Sequence, residues 1–180
     1  MTSNERIQLA LDCGAAKAVM LEGSRLVTSP TFRDICRSNG CGKYGSCWVC
    51  PPEIGEIEPL IASLSAYHHV LWYQTIASIE DSFDIEGMLD AGKHHAQVSQ
   101  AIHTALKTAG TDHFLHLSCG GCHLCERCAK PLPCRHPGRA LPSLEGYGVD
   151  VYNTTKDTPL AYINGTNTVT YFGAVLFMEE

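Results

Sequence analysis

Ser118-Cys119-Gly120-Gly121-Cys122-His123-Leu124-Cys125-Glu126-Arg127-Cys128 sets cysteines at every third position, and Cys134 follows between Pro133 and Arg135. A thiol every three residues is hard for a packed core to use, because successive side chains leave the backbone in different directions. It suits short loops converging on one compact polynuclear centre. Cys-x2-Cys-x2-Cys with a more distant cysteine beside proline is the form of bacterial iron–sulfur ligation. The stretch therefore reads as a metal-binding loop carried by a scaffold built elsewhere in the chain.

A second cysteine loop precedes it: Cys36-x4-Cys41-x5-Cys47-x2-Cys50-Pro51-Pro52, interrupted by Gly40, Gly42 and Gly45. Glycines let the backbone approach a metal centre and turn N–H groups toward sulfur. Proline directly after Cys50 removes a competing donor and fixes the chain's exit. Tyr44 and Trp48 are expected either to shield such a site or to pack the loop.

The scaffold reads as alternating elements. Ile7, Leu9, Ala10, Leu11 and Cys13 have near-helical spacing, Gly14 ends that segment, and Ala18–Leu21 looks extended. Cys13, alone on this helix, reads as a small buried apolar residue. Leu26-Val27-Thr28 suggests a second short strand, and a helix opens at Pro30-Thr31 and runs through Phe32, Ile35 and Cys36. Glu56 to Tyr67 has a helical stripe at Ile57, Leu60, Ile61 and Leu64.

Val70 to Ile76, rich in β-branched and aromatic residues, predicts a central strand. Asp84 opens the longest helix, to about Ala109, with an expected packing face of Ile85, Leu89, Gly92, Ala96, Ser99, Ile102, Leu106 and Ala109 before Gly110. Phe114 to Leu117 is a strand leading into the cysteine run. Lys130 to Gly138 is a proline-rich loop, 153–168 is polar and turn-rich, and Val169 to Phe177 is the final strand. The order predicts an α+β fold in one domain, residues 1–180, with a small mixed sheet, helices packed on one face and the cysteine loops at one end.

Composition narrows the function classes. The 180 residues are 44% hydrophobic and 18% charged, ordinary for a globular chain able to bury a core. A net charge of -6 argues against general nucleic-acid binding, and no apolar run has membrane-spanning length. Met1 to Arg6 has no basic stretch leading into an apolar one, so the expectation is a cytoplasmic protein. Ten cysteines in a reducing compartment point to metal rather than to disulfides. His94, His95, His103, His113, His116 and His123 are weak ligand candidates; His94 and His95, being adjacent, point to different faces of the long helix.

Three signatures occur in order: Cys36…Cys41-Gly42-Lys43-Tyr44-Gly45…Cys50-Pro51-Pro52; Cys122-x2-Cys125-x2-Cys128…Pro133-Cys134-Arg135-His136-Pro137; and Ser143-Leu144-Glu145…Gly148-Val149-Asp150-Val151. Together they resemble a family of cysteine-rich prokaryotic proteins of unknown function described as predicted metal-binding. The resemblance implies Cys36, Cys41 and Cys50 in the first loop and Cys122, Cys125, Cys128 and Cys134 in the second. Cys47 and Cys119 are additions to that pattern in this chain.

Three functional readings follow. The cysteine spacing favours an iron–sulfur protein with one or two [4Fe–4S] clusters on Cys36, Cys41, Cys47, Cys50, Cys122, Cys125, Cys128 and Cys134, acting in electron transfer with a redox partner protein or as an accessory to a redox enzyme. A structural zinc module is the alternative, although Cys-x2-Cys repeated without a gap makes neighbouring thiolates compete for one ion. The third is an iron–sulfur enzyme with one iron open to a small molecule and Ser143, Tyr44 or Glu145 beside it. Ser143 and Glu145 fit equally a helix-start cap and a pocket wall.

Overall fold

The computed structural model describes residues 1–178. Helix α1 (Ser3–Asp12) starts at a capping box, Glu5 N–H donating to the Thr2 hydroxyl at 3.3 Å and Thr2 N–H to the Glu5 carboxylate at 2.7 Å. Strand β1 (Lys17–Glu22) follows, then α2 (Phe32–Arg37), α3 (Ile57–Ser63), β2 (His69–Ser78), α4 (Ile85–Thr108), β3 (Phe114–Leu117), α5 (Val151–Thr155) and β4 (Thr168–Phe177). The strands form one sheet in the order β1-β2-β4-β3. The fold is α+β, as the sequence predicts, but every pairing in the sheet is antiparallel, so it is not mixed.

Alternation along β2 decides what covers each face. Leu71 and Tyr73 join Val175 and Phe177 under α1 and α4, where Ala10, Val98, Ile102 and Leu106 close over them. Val70 and Trp72 point the other way, with Phe172, Ala174 and Leu176, and are covered by Leu64, Leu144, Val149 and Leu160. The long helices therefore share one face as expected. The opposite face is covered too, by the residues just after α3 and by the 141–160 segment. A strand apolar on both sides, as β2 is, requires a cover on each.

Two local expectations shift. Leu26-Val27-Thr28 is not a strand: only Thr28 bridges, to Val149, because Gly23–Arg25 forms a tight 3-10 turn just before it. On α4 the packed stripe begins at Ala91 and runs through His95, Val98, Ser99, Ile102 and Leu106. Ile85 and Leu89 are 70% and 61% exposed, since the first turn and a half of the helix buries no side chain. Gly110 ends the helix with φ +79°, a left-handed position that suits glycine.

Between α4 and the sheet lies a buried polar cluster. Tyr73 OH donates to Ser99 Oγ at 2.7 Å, which leaves His116 Nε2–H to donate to the phenol oxygen at 2.8 Å. Ser99 and Ser118 hydroxyls meet at 3.0 Å, and His95 Nδ1 meets Thr75 Oγ1 at 2.9 Å. Gly173 lies opposite Tyr73 in β4, where any Cβ would run into the phenol, so the ring packs over bare backbone.

Burial lowers the pKa of His95 to about 4 and that of His116 well below the usual histidine range. Both rings are therefore neutral in the fold, while in the unfolded chain they take up protons near pH 6.5. Stability is full above that pH and is lost as pH falls through the interval down to the folded values, by about 1.4 kcal/mol per unit of depression. The urea midpoint is expected to drop steadily from pH 7 to pH 5, less steeply in His95→Gln; equal slopes would refute a neutral buried His95.

Candidate metal centre

The end of β3 builds the site. Leu117 is the strand's last residue, and Ser118 continues it by bridging Ser143, with Ser118 N–H on Pro142 O at 2.9 Å and Leu144 N–H on Ser118 O at 2.8 Å. That bridge sets Ser143 to Tyr147 beside the start of the second cysteine loop. Val149 in turn bridges Thr28, and Arg33 on α2 reaches Gly55 O at 2.7 Å and Gly146 O at 3.4 Å. Through these contacts Cys36, at the end of α2, arrives near the 3-10 turn Glu145–Tyr147.

The two loops are tied directly. Trp48 Nε1–H donates to Leu132 O at 2.9 Å, and Lys130 Nζ donates to Gly45 O at 2.6 Å while pairing with Glu53. Trp48, 36% exposed, acts as a strut between loops rather than as a buried shield. A cavity of about 540 Å³ opens between the loops, and Cys47, Cys122, Cys125, Cys128 and Cys134 all line it. Lys43, Arg127, Lys130 and Arg135 line it as well, against Glu126, so the wall is cationic in a protein whose net charge is -6. Nearby cations stabilise thiolates over thiols.

Cys36, Cys41 and Cys50 line a second cavity, of about 260 Å³, together with Ser143 and Glu145. Both readings of Ser143 hold: its hydroxyl accepts Gly146 N–H at 3.0 Å, and it forms part of the wall. Burial raises the Glu145 carboxyl pKa, and Oε2 is sealed off without a hydrogen-bond partner although the residue as a whole is only half-buried. Burial likewise raises Cys36, with the Glu145 charge adding to it.

Cys47 stands between the cavities. Hydrogen bonds from Cys122 and then Cys50 push its pKa down, while sharing that charge pushes Cys50 and Cys122 up. Cys47, which the family-like pattern treats as an addition, is thus hydrogen-bonded to both Cys50 and Cys122. Cys119, also outside that pattern, lines neither of these two cavities. Its thiol is raised by burial, and it lines a third cavity with Cys122, His123, Lys93 and Arg139.

Among the described residues all ten cysteines are free, and no three Cys, His, Asp or Glu side chains converge on a point that one ion would fill. The eight cysteines singled out by sequence instead line the walls of two cavities, five and three. Five and three thiols in the walls of these two cavities have the donor chemistry of thiophilic metals and clusters, so these residues fit such a group.

The histidines divide differently. His95 and His116 belong to the core cluster, His94 and His113 are exposed, and His136, which the spacing did not single out, lines the larger cavity. The cationic wall was missed as well, although Lys43, Arg127, Lys130 and Arg135 flank the cysteines in sequence. Cys13 is half-buried at the end of α1 against the helix-side core and lines none of these cavities. Cys13→Ala is expected to leave metal content unchanged, as read by elemental analysis; a drop would make it a ligand.

Among the described residues no helix is long and apolar enough to cross a membrane. Searches of curated proteins and of solved structures return no match. Residues 19–177 match the family described as predicted metal-binding protein (DUF2284), and the chain belongs to that family.

Proposed function

We propose that this is an iron–sulfur protein whose principal cluster, of the [4Fe–4S] kind, is held by thiolates of the larger cavity and which passes electrons to or from a redox partner protein. The observation behind the reading is five cysteines from two tied loops around one cavity of about 540 Å³. Cys122, Cys125 and Cys128 are the core donors, because their three-residue spacing is that of iron–sulfur ligation. Cys134 and Cys47 compete for the fourth place. Bound there, the group would supply one-electron transfer.

The chain's own residues set the conditions for it. Lys43, Arg127 and Arg135 offset the negative charge of the thiolates. His136 N–H donates to Cys134 Sγ at 3.4 Å, and hydrogen bonds to sulfur are one of the means by which a protein tunes potential. Trp48 and Lys130 hold the loops at a fixed separation.

The test is iron, zinc and acid-labile sulfide per chain in protein purified without oxygen, with visible spectra before and after dithionite. Equal iron and sulfide with absorption that bleaches on reduction is the expected result. Stoichiometric zinc without sulfide, from cells grown with ample iron, would replace this reading with a structural module.

A further inference from the structure

We propose that the cavity lined by Cys36, Cys41, Cys50 and Glu145 is a second iron–sulfur site, closed by three thiolates and the Glu145 carboxylate rather than by four thiolates. It rests on the iron–sulfur reading of the larger cavity for the identity of the metal.

Four observations converge on it. Cys50 lines the smaller cavity while Cys47, whose thiol it meets, lines the larger one, so the first loop contributes thiols to both cavities. The smaller cavity is left with three cysteines, one acid and Lys43, drawn from α2, the glycine-rich loop and the 3-10 turn. Glu145 Oε2 is buried without a hydrogen-bond donor. A carboxylate oxygen stripped of water is costly to hold unless a proton or a metal meets it.

The fourth is Arg33, one turn ahead of Cys36 on α2 and 3% exposed. It bonds the carbonyls of Gly55 and Gly146, its Nε is unpartnered, and among the described residues no carboxylate pairs with it. A buried guanidinium is retained where an anion lies close. Three thiolates and a carboxylate around one centre would provide that negative charge. The donors surround a cavity and do not meet at a point, an arrangement that suits a polynuclear centre.

Among these donors the carboxylate is the hard one, and soft thiolates hold iron–sulfur irons more firmly. The Glu145 position is thus the most exchangeable corner of the site.

The experiment compares the full chain with Cys36→Ser, Glu145→Cys and Cys128→Ala after anaerobic reconstitution with iron and sulfide, reading iron per chain and the low-temperature EPR spectrum of the reduced protein. The natural chain is expected to show two overlapping signals. Cys36→Ser loses one signal and its share of the iron. Glu145→Cys keeps the iron but shifts that same signal, a change that a misfolded variant would not produce. Cys128→Ala loses the other signal.

If Cys36→Ser and Glu145→Cys both match the natural chain in iron and spectrum while Cys128→Ala loses its iron, the second site falls and the first stands. If the natural chain takes up no iron and sulfide, the underlying reading fails and this one with it.

Discussion

Cys128→Ala protein, purified without oxygen, is expected to retain almost none of the iron that the proposed function places in the larger cavity, and Cys125→Ala the same. Both side chains line that cavity from a loop with no regular structure of its own. The loop's shape is thus fixed by what its thiols bind and by a few ties: Trp48 to Leu132, Lys130 to Gly45 and Glu53, and Arg135 Nη1 to Arg127 O at 3.1 Å. Loss of a partner that only orients a metal ligand typically weakens metal binding about 10–100-fold, and loss of a ligand should exceed that. Because metal binding is linked to folding of its cradle, proteolysis between residues 118 and 140 should quicken in both variants while the sheet persists. Full iron content in both would remove the second loop from the site.

The second large effect lies in the core. Tyr73→Ala should lower unfolding free energy by about 3–5 kcal/mol, the usual range for losing a large buried aromatic. The ring is fully buried, it packs over Gly173 without an intervening side chain, and it stacks on His95 at 5.6 Å between centroids. Tyr73→Phe separates packing from polarity. It keeps the ring but leaves Ser99 and His116 without the hydroxyl, an expected cost of about 1–3 kcal/mol. Urea denaturation of the metal-free chain measures both; equal losses would mean that the hydroxyl carries the whole effect and the packing argument is wrong.

That core was legible wherever one short run settles its own structure. Val70 to Ile76 and Val169 to Phe177 read as strands from β-branched and aromatic content, and they form the longest pairing in the sheet. The face of α4 was legible only beyond its first turns: Ile85 and Leu89 continue the apolar period, but nothing in periodicity says where the sheet beneath the helix ends. Pairing direction was not legible either, since it depends on which strands become neighbours.

The site divides in the same way. Spacing picked out the eight cysteines, yet their partition into five and three depends on Cys47 and Cys50, whose thiols meet, lining different cavities. That placement depends on contacts with Cys122, more than seventy residues away in sequence. Likewise Arg33 reads as an ordinary helical surface charge until the fold buries it against Gly55 and Gly146.

The order of strands has a consequence for biosynthesis. β4 is the last strand in sequence, yet it lies between β2 and β3. When a ribosome has made both cysteine loops, β2 still has an open edge and β3 has no neighbour at all, because each pairs with β4. A nascent chain at that stage exposes Leu71, Trp72 and Leu117 and has no finished platform behind Ser118. On the proposed reading, cofactor insertion is expected to follow release of Thr168–Phe177 from the exit tunnel.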